Sequence, residues 1–487
     1  MSAFVSTSSA PSGNPASDKG ELAKLCRQLP FVSPFCGPRY LGAAVAMSPL
    51  KSEQLYRETL AFEFSAATAE NCMKWGSLNV SEGKWNFEEA DRFVAFCETN
   101  KLVIKGHALV WHNQLPAFLH HKMNKETLFF FMKLHILKVV QRYKGKVKRW
   151  DVLNEVVDDS GVGLRKTIFS KILGDEFIEK AFKWAHEADP DALLYYNDYS
   201  ICDWNKKSTF TYSMVKRLLA KSIPIHGVGF QCHLHANSIN FEGIKRNILR
   251  FSALGLFVNF SEVDVRVSGI SDCLQTRLNF QKIALRRLMA TAFSCPKFEG
   301  LTFWGFTDLH SWVHGFFGKD EPLVFDCEYR KKPSFDGCRV GLLSIPLKIN
   351  ESSLKRRFVC QVEDCFAFEG CKIDGSAQVS YAKKNGFVCF ALNPPLPGSE
   401  LCNIKCMGIN VATEMSGGVV ELRANTVDGP VLCVGGIVPT GSYSSFQMQY
   451  FALSNTGSEA DLSAIFLTFL DADVGNFTRL EFSEIVL

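Results

Sequence analysis

Two apolar stretches of the chain end on acids. WDVLNEV (150–156) runs from Trp, Val and Leu into Asn154 and Glu155, and FSEVDV (260–265) carries Glu262 and Asp264 among Phe and Val. Two carboxylates brought to one place from different strands are the minimum equipment for hydrolysing a glycosidic bond. One donates a proton to the leaving oxygen, and the other acts as nucleophile or as base. A separation of about 5 Å implies a covalent intermediate and retention, whereas about 6.5 Å or more leaves room for a water and implies inversion. The neighbouring residue types suit a sugar. Asn154 can donate to a hydroxyl beside Glu155, His233 can orient or charge-balance Glu262, and Trp304 and Trp312 are flat apolar plates on which pyranose rings stack.

These residues meet only if the chain carries them to a common rim. From residue 40 onward, short apolar runs alternate with longer amphipathic stretches, the rhythm of β/α units. Eight runs occur: 40–45, 62–71, 102–111, 147–156, 193–200, 226–235, 256–265 and 300–309. Helices are expected between them. NFEEADRFVAFCETN, for example, places Phe87, Ala90, Phe93, Val94 and Cys97 on one stripe. The pattern predicts an α/β fold, a (β/α)8 TIM barrel, whose usual length is about 250 residues and whose active site lies at the C-terminal ends of the strands. The polar groups gather at those ends: Glu70, Asn71 and Lys74 after the second run, His107 and His112 around the third, then Asn154 and Glu155, Asn197 and Asp198, Gln231 and His233, Glu262 and Asp264, and finally Trp304, Asp308 and Trp312. Asp158 and Asp159 read as solvated loop charges.

After about residue 340 helical periodicity stops. Alternating segments such as 418–427, 444–453, 463–470 and 478–487, separated by Gly, Pro, Asn and Asp, predict an all-β sandwich. The expected organisation is a disordered N-terminal arm over 1–37, rich in Ser, Ala, Pro and Gly, a catalytic barrel over 38–340, a linker over 341–354 and a sandwich over 355–487. The net charge of +4 over 487 residues is interspersed and marks no nucleic-acid surface. No run of about 18 apolar residues suggests a membrane span. The 17 cysteines are scattered without CxxC pairs, so most read as small buried hydrophobes, with a few disulfides possible. His233 and His235, with His107, raise a metal-site alternative, but zinc needs three or four converging ligands with supporting partners. The paired glutamates and tryptophans fit a sugar better, and no metal is expected there.

Residues 38–340 resemble glycoside hydrolase family 10, the β-1,4-xylanase family. AENCMKW (69–75), GHALVWHNQLP (106–116), WDVLNEV, GFQCHL (229–234), SEVDV (261–265), LTFWGFTD (301–308) and HSW (310–312) occur in that family's order. The resemblance implies Glu155 as acid/base and Glu262 as nucleophile of a retaining mechanism. It implies Glu70, Asn71, Lys74, His107, Trp111, Asn154, Gln231, His233, Trp304 and Trp312 as sugar-holding residues, and His233 and Asp264 as support for the nucleophile. Ser261 stands where Thr is more usual, and Cys232 where Ser is common. More faintly, 355–487 resembles a family 6 carbohydrate-binding module. Tyr381 matches one sugar clamp, Tyr443 or Phe446 takes the place of the other, and Thr478 stands where an Asn is expected. Glu363 and Asp471 to Asp473 suggest a structural calcium; no other cofactor is expected.

The expected function is therefore a retaining endo-β-1,4-xylanase acting on xylan or a related β-1,4-linked polysaccharide, with Trp304 and Trp312 crowding out the hydroxymethyl arm of glucose. Two alternatives stand beside it: a β-1,4-glucanase on the same barrel, and an inert polysaccharide-binding protein that has kept the fold. A monomer is expected. The N-terminus lacks the marks of a signal peptide, and an extracellular site of action is expected from the substrate alone.

Overall fold

The computed structural model describes residues 19–29 and 37–345. Within the C-terminal segment it describes 354–362, 365, 367–373, 378–396, 406–413, 419–437, 440, 442, 446–453, 462–469 and 476–485. The strands β1 (Tyr40–Val45), β2 (Ala66–Ala69), β3 (Val103–Gly106), β4 (Val147–Asn154), β5 (Leu193–Asp198), β6 (Gly227–Phe230), β8 (Phe257–Arg266) and β9 (Phe298–Phe303) pair in parallel in that order. β1 also pairs with β9, from Tyr40↔Gly300 to Ala43↔Phe303, so the sheet closes into an eight-stranded barrel. A three-residue strand, β7 (His233–His235), prolongs the β6 edge and pairs with the upper end of β8 through His233↔Asp264. All eight expected barrel strands are present. They were readable because a parallel barrel covers both faces of each strand, so that β1, for instance, is buried at every position. The second run is shorter than expected, since Gln54–Glu63 is helical and only 66–69 is strand.

The helices follow the stripes. Glu88–Thr99 buries Ala90, Phe93, Val94 and Cys97, while Phe87 lies at its N-cap. Lys125–Arg142 starts where the Asn124 side chain accepts from Thr127 N–H, which satisfies one of the free donors of the first turn. The N-terminal arm is not wholly unstructured. Glu21–Gln28 forms a helix whose Leu22, Ala23 and Cys26 are buried, with Leu22 and Cys26 in the barrel core. The polar composition of its surroundings hides that two-turn stripe.

Inside the barrel, side chains at alternate strand positions form an ionic layer. Lys105 Nζ lies 2.8 Å from Asp151 Oδ1, Arg149 Nε 3.1 Å from Glu299 Oε2, and Asn259 donates to Glu299 at 2.7 Å. Gly106 lets β3 pass against Trp150, since a Cβ there would sit 2.2 Å from the indole.

The C-terminal strands β10 (Leu354–Gln361), β11 (Ala367–Ile373), β12 (Val379–Leu396), β13 (Cys406–Ala412), β14 (Val419–Ala424), β15 (Val431–Gly436), β16 (Gln447–Ala452), β17 (Leu462–Phe469) and β18 (Asn476–Ile485) pair antiparallel. Their hydrogen bonds run in the order β15-β14-β17-β12-β18-β13-β16. The two halves of this network enclose one core, in which Val388, Leu422, Ile465 and Leu467 meet Met407, Ile409, Phe451 and Leu480. It is the expected sandwich. The helix Pro333–Leu343 packs on it through Val340, Leu343 and Val434, and Gly436 N–H donates to Ser344 O at 2.8 Å. Nine of the described cysteines are buried, as small hydrophobes are.

Candidate active site

Strand β4 ends on Asn154, and Glu155 just beyond it is held very differently. Asn154 is buried, and its N–H donates to Val110 O at 3.0 Å. Glu155 then turns into the left-handed region with φ of 58°, which costs a non-glycine residue about 1–2 kcal/mol. That turn is fixed on both sides. Glu155 N–H donates to Asn197 O at 2.9 Å, and the next two N–H groups, of Val156 and Val157, both donate to the Tyr196 hydroxyl at 3.2 Å. The carboxylate is in turn held by Trp111 Nε1 at 2.8 Å and Gln231 Nε2 at 3.0 Å.

Glu262, on β8, is buried and bound from two directions. Asn197 Nδ2 donates to Oε1 at 2.7 Å, and His233 Nε2 lies 3.4 Å from Oε2. Behind the imidazole, His233 Nδ1 is 2.8 Å from Asp264 Oδ2, which also accepts from Trp312 Nε1 at 2.8 Å. Asn197 is itself pinned: it donates to Asn154 Oδ1 at 3.0 Å and accepts from Ser261 Oγ at 2.5 Å. Gly229 leaves room for it, because a Cβ there would lie 2.2 Å from Asn197 Oδ1. A continuous chain of hydrogen bonds, Glu155–Gln231–Asn154–Asn197–Glu262, thus connects the two carboxylates.

The charges follow from these contacts. Burial alone would raise the pKa of Glu262, but the His233 hydrogen bond, the nearby His107 and His233, and the Asn197 hydrogen bond outweigh it and bring it down to about 2. Burial pulls His233 the other way, yet Asp264, by charge and hydrogen bond, and then Glu262 lift it to about 10. The pair is therefore carboxylate and imidazolium. At the opposite wall, burial raises Glu70 and lowers Lys74, each opposed by the charges around it. Lys74 Nζ donates to Asn71 Oδ1 at 2.9 Å and lies 4.6 Å from the Trp111 ring centroid.

One cleft of about 960 Å³ is lined by Glu70, Asn71, Lys74, His107, Trp111, Asn154, Glu155, Gln231, His233, Glu262, Trp304 and Trp312 together. Asp264 stands one layer behind, against His233. Not every strand-end residue reaches the cleft. Asp308 is buried against Lys332 at 2.8 Å, and Asp198 against Lys207 at 2.8 Å and the Tyr196 hydroxyl; both hold loops in place. His233 and His235 do not form a metal pair. His235 is spent on Ser268 O at 2.8 Å and Asn237 Oδ1 at 2.6 Å, and among the described residues no group of three or more His, Cys, Asp or Glu is placed to hold a metal ion.

Residues 34–340 match Glycosyl hydrolase family 10. The chain belongs to that family. Endo-1,4-beta-xylanase B of Thermotoga neapolitana is 41% identical over 310 residues, covering 63% of this chain and 87% of that one. An endo-1,4-beta-xylanase of Geobacillus stearothermophilus is 37% identical over 331 residues, covering 64% and 98%. Among solved structures, xylanase 10B from Thermotoga petrophila RKU-1 in complex with xylobiose superposes with a TM-score of 0.63 at 39% identity, covering 67% of this chain and 98% of that one.

Within this family framework Ser261 supplies through its hydroxyl the bond to Asn197. The cleft also takes in Asn113, Gln114, Tyr199, Asn205, Phe316 and Phe317, which the sequence did not single out. Phe316 and Phe317 follow Trp312 on one short helix and pack on its indole at centroid distances of 5.0 and 5.9 Å; their spacing after HSW was the available signal. Asp159 is not simply solvated, since it pairs with Arg165 at 2.8 Å and with the Tyr199 hydroxyl. In the sandwich, Phe446 is half-buried and Thr478 Oγ1 accepts from Asn410 Nδ2 at 2.8 Å. Tyr443, Glu363, Asp471 to Asp473 and the side chain of Tyr381 lie outside the described residues.

Proposed function

We propose that this chain is a retaining endo-β-1,4-xylanase in which Glu262 is the nucleophile and Glu155 the acid/base. The observation that carries the reading is the asymmetry of the two carboxylates in one cleft. Glu262 is held anionic by His233 and Asn197, while Glu155 has two neutral donors on its carboxylate, Trp111 and Gln231. In the first step an oxygen of Glu262 bonds to the anomeric carbon as the glycosidic C–O bond breaks, and the leaving oxygen takes the Glu155 proton. In the second, water gives its proton to Glu155 and attacks the same carbon, releasing Glu262. Two inversions leave the configuration unchanged.

The relatives named as endo-1,4-beta-xylanases and the xylobiose-bound neighbour favour xylan as substrate. Trp304, with its edge to His107 at 5.2 Å, and Trp312 are the walls we assign to excluding a hydroxymethyl arm. The sandwich we read as an accessory polysaccharide-holding domain. A xylan digest followed immediately by proton NMR tests substrate and mechanism together: β-xylo-oligosaccharides appear first and mutarotate later. Initial α-products would overturn the stereochemistry, greater release of reducing ends from carboxymethylcellulose than from xylan would favour the glucanase, and undiminished turnover by Glu262→Ala would remove the nucleophile.

A further inference from the structure

The acid/base in this reading depends on a side chain that never touches the sugar-facing carboxylate. After Glu155 the chain makes a loop, 156–165, that doubles back on itself. Val157 bridges Leu164, and Arg165 N–H donates to Val156 O at 2.7 Å. The return brings the Arg165 guanidinium under the start of the loop. Its Nε donates to the Glu155 carbonyl at 3.2 Å, and Nη2 points to the Val157 carbonyl at 3.4 Å. The outer edge of the same group is forked on Asp159, at 3.2 and 2.8 Å, and Nη2 donates to the Tyr199 hydroxyl at 2.7 Å. That hydroxyl in turn donates to Asp159, and Lys207 Nζ closes the cluster 3.5 Å from the Tyr199 ring centroid.

We propose that Arg165, braced by Asp159 and Tyr199, is a positioning residue that locks the backbone carbonyl of Glu155 and so keeps the acid/base carboxyl aimed at the glycosidic oxygen. The need arises from the left-handed turn at Glu155, a conformation that persists in a non-glycine residue only when its surroundings over-determine it. The N–H side of the turn is tied to β5 through Asn197 O. The carbonyl side is tied by Arg165. A planar guanidinium suits this task, because one rigid group reaches two carbonyls on one edge and a carboxylate and a hydroxyl on the other. Tyr199 also lines the cleft, so the brace spans from the substrate wall to the backbone of the acid/base.

The inference rests on Glu155 being the acid/base, and the test separates the two. Phenyl β-xylobioside needs a proton on its leaving oxygen, whereas dinitrophenyl β-xylobioside departs without one. Arg165→Gln is expected to lower kcat/KM on the phenyl substrate by about 30-fold, a part of the roughly 10²–10⁴ that full acid catalysis is worth, and on the dinitrophenyl substrate by less than about 3-fold. Azide, which attacks the glycosyl-enzyme without base assistance, is expected to raise dinitrophenyl turnover in the variant. Arg165→Lys and Asp159→Asn, which keep charge or shape at the brace, are expected to show the same split at smaller size, and they carry the test if Arg165→Gln does not fold. Equal losses on both substrates, or no loss on either, would overturn the positioning role. Glu155→Gln is the reference: if it shows no split, Glu155 is not the acid/base, and if it shows one while all three brace variants do not, the brace alone is wrong.

Discussion

Glu262 stays ionised in a site where burial opposes ionisation, and the first of the groups that lower its pKa is the His233 imidazolium, followed by His107 and Asn197. If His233 is replaced by Ala, the cation is lost while burial remains, so the Glu262 pKa must rise from about 2. A retaining glycosidase needs its nucleophile deprotonated, so the acidic limb of the kcat/KM profile should move to higher pH in His233→Ala, and a limb left in place would show that His233 does not set it. The same pair shapes stability. Glu262 is depressed from 4.5 to about 2, so its contribution is present above pH 4.5 and is lost as pH falls toward 2. His233 is raised from 6.5 to about 10, so its contribution is present below pH 6.5 and is lost as pH rises toward 10. Both describe one ion pair. The stability gap between wild type and His233→Ala should therefore be widest between pH 4.5 and 6.5, as read by denaturant unfolding across pH. Motif residues such as His233 were legible because their chemistry is written in their type. Asp159 was not, because its partners Arg165 and Tyr199 come from positions 6 and 40 residues away and meet only once two loops have formed.

At the scale of elements, β3 does two jobs at once. Its end presents His107 to the cleft, and its Lys105 is buried in the ionic layer below, both bound to the same Asp151: His107 Nδ1 at 2.9 Å and Lys105 Nζ at 2.8 Å. The aspartate thus links the barrel interior to the orientation of a cleft residue. Lys105→Met removes the cation and leaves Asp151 buried without its lysine partner, a change of the kind that costs about 3–5 kcal/mol. Equilibrium urea unfolding of the variant should show that loss, and a change below about 1 kcal/mol would mean the layer is hydrated and not dry, as exposed pairs are. The eight strands could be read from their apolar runs, yet this layer could not. A lysine within LVIKGH looks like an interruption of a strand until the sheet closes and turns alternate positions toward a shared interior. The helix Glu21–Gln28 was missed for a related reason: its apolar stripe is only two turns long, too short to stand alone, and it is held by packing Leu22 and Cys26 into the barrel core.

Among the described residues there are two large hydrophobic cores, one in the barrel and one in the sandwich, joined by a small one. The change of sequence grammar near residue 340 announced the two, because helical periodicity gives way to alternation there. Nothing in the local pattern announced the seam, since Val340 and Leu343 on the last barrel helix and Val434 on β15 are ordinary apolar residues until they touch. Among the described residues, three buried side chains, the partly buried Leu25, Val419 and Val431 beside them, and one backbone hydrogen bond between Gly436 and Ser344 are little compared with either core. Interfaces this slight do not make two domains unfold as one unit. Calorimetry of the intact chain should therefore resolve two transitions. Val434→Asp places a carboxylate in the seam opposite Leu343, where it has to be desolvated, so it should lower the sandwich transition by several degrees, roughly what 1–2 kcal/mol does in a domain of this size. The barrel transition and turnover of short xylo-oligosaccharides should stay as they are, because the seam lies at the last barrel helix and contributes no residue to the cleft. A single transition whose calorimetric and van't Hoff enthalpies agree, or a loss of activity in Val434→Asp equal to its loss of stability, would show instead that the sandwich is built into the catalytic unit.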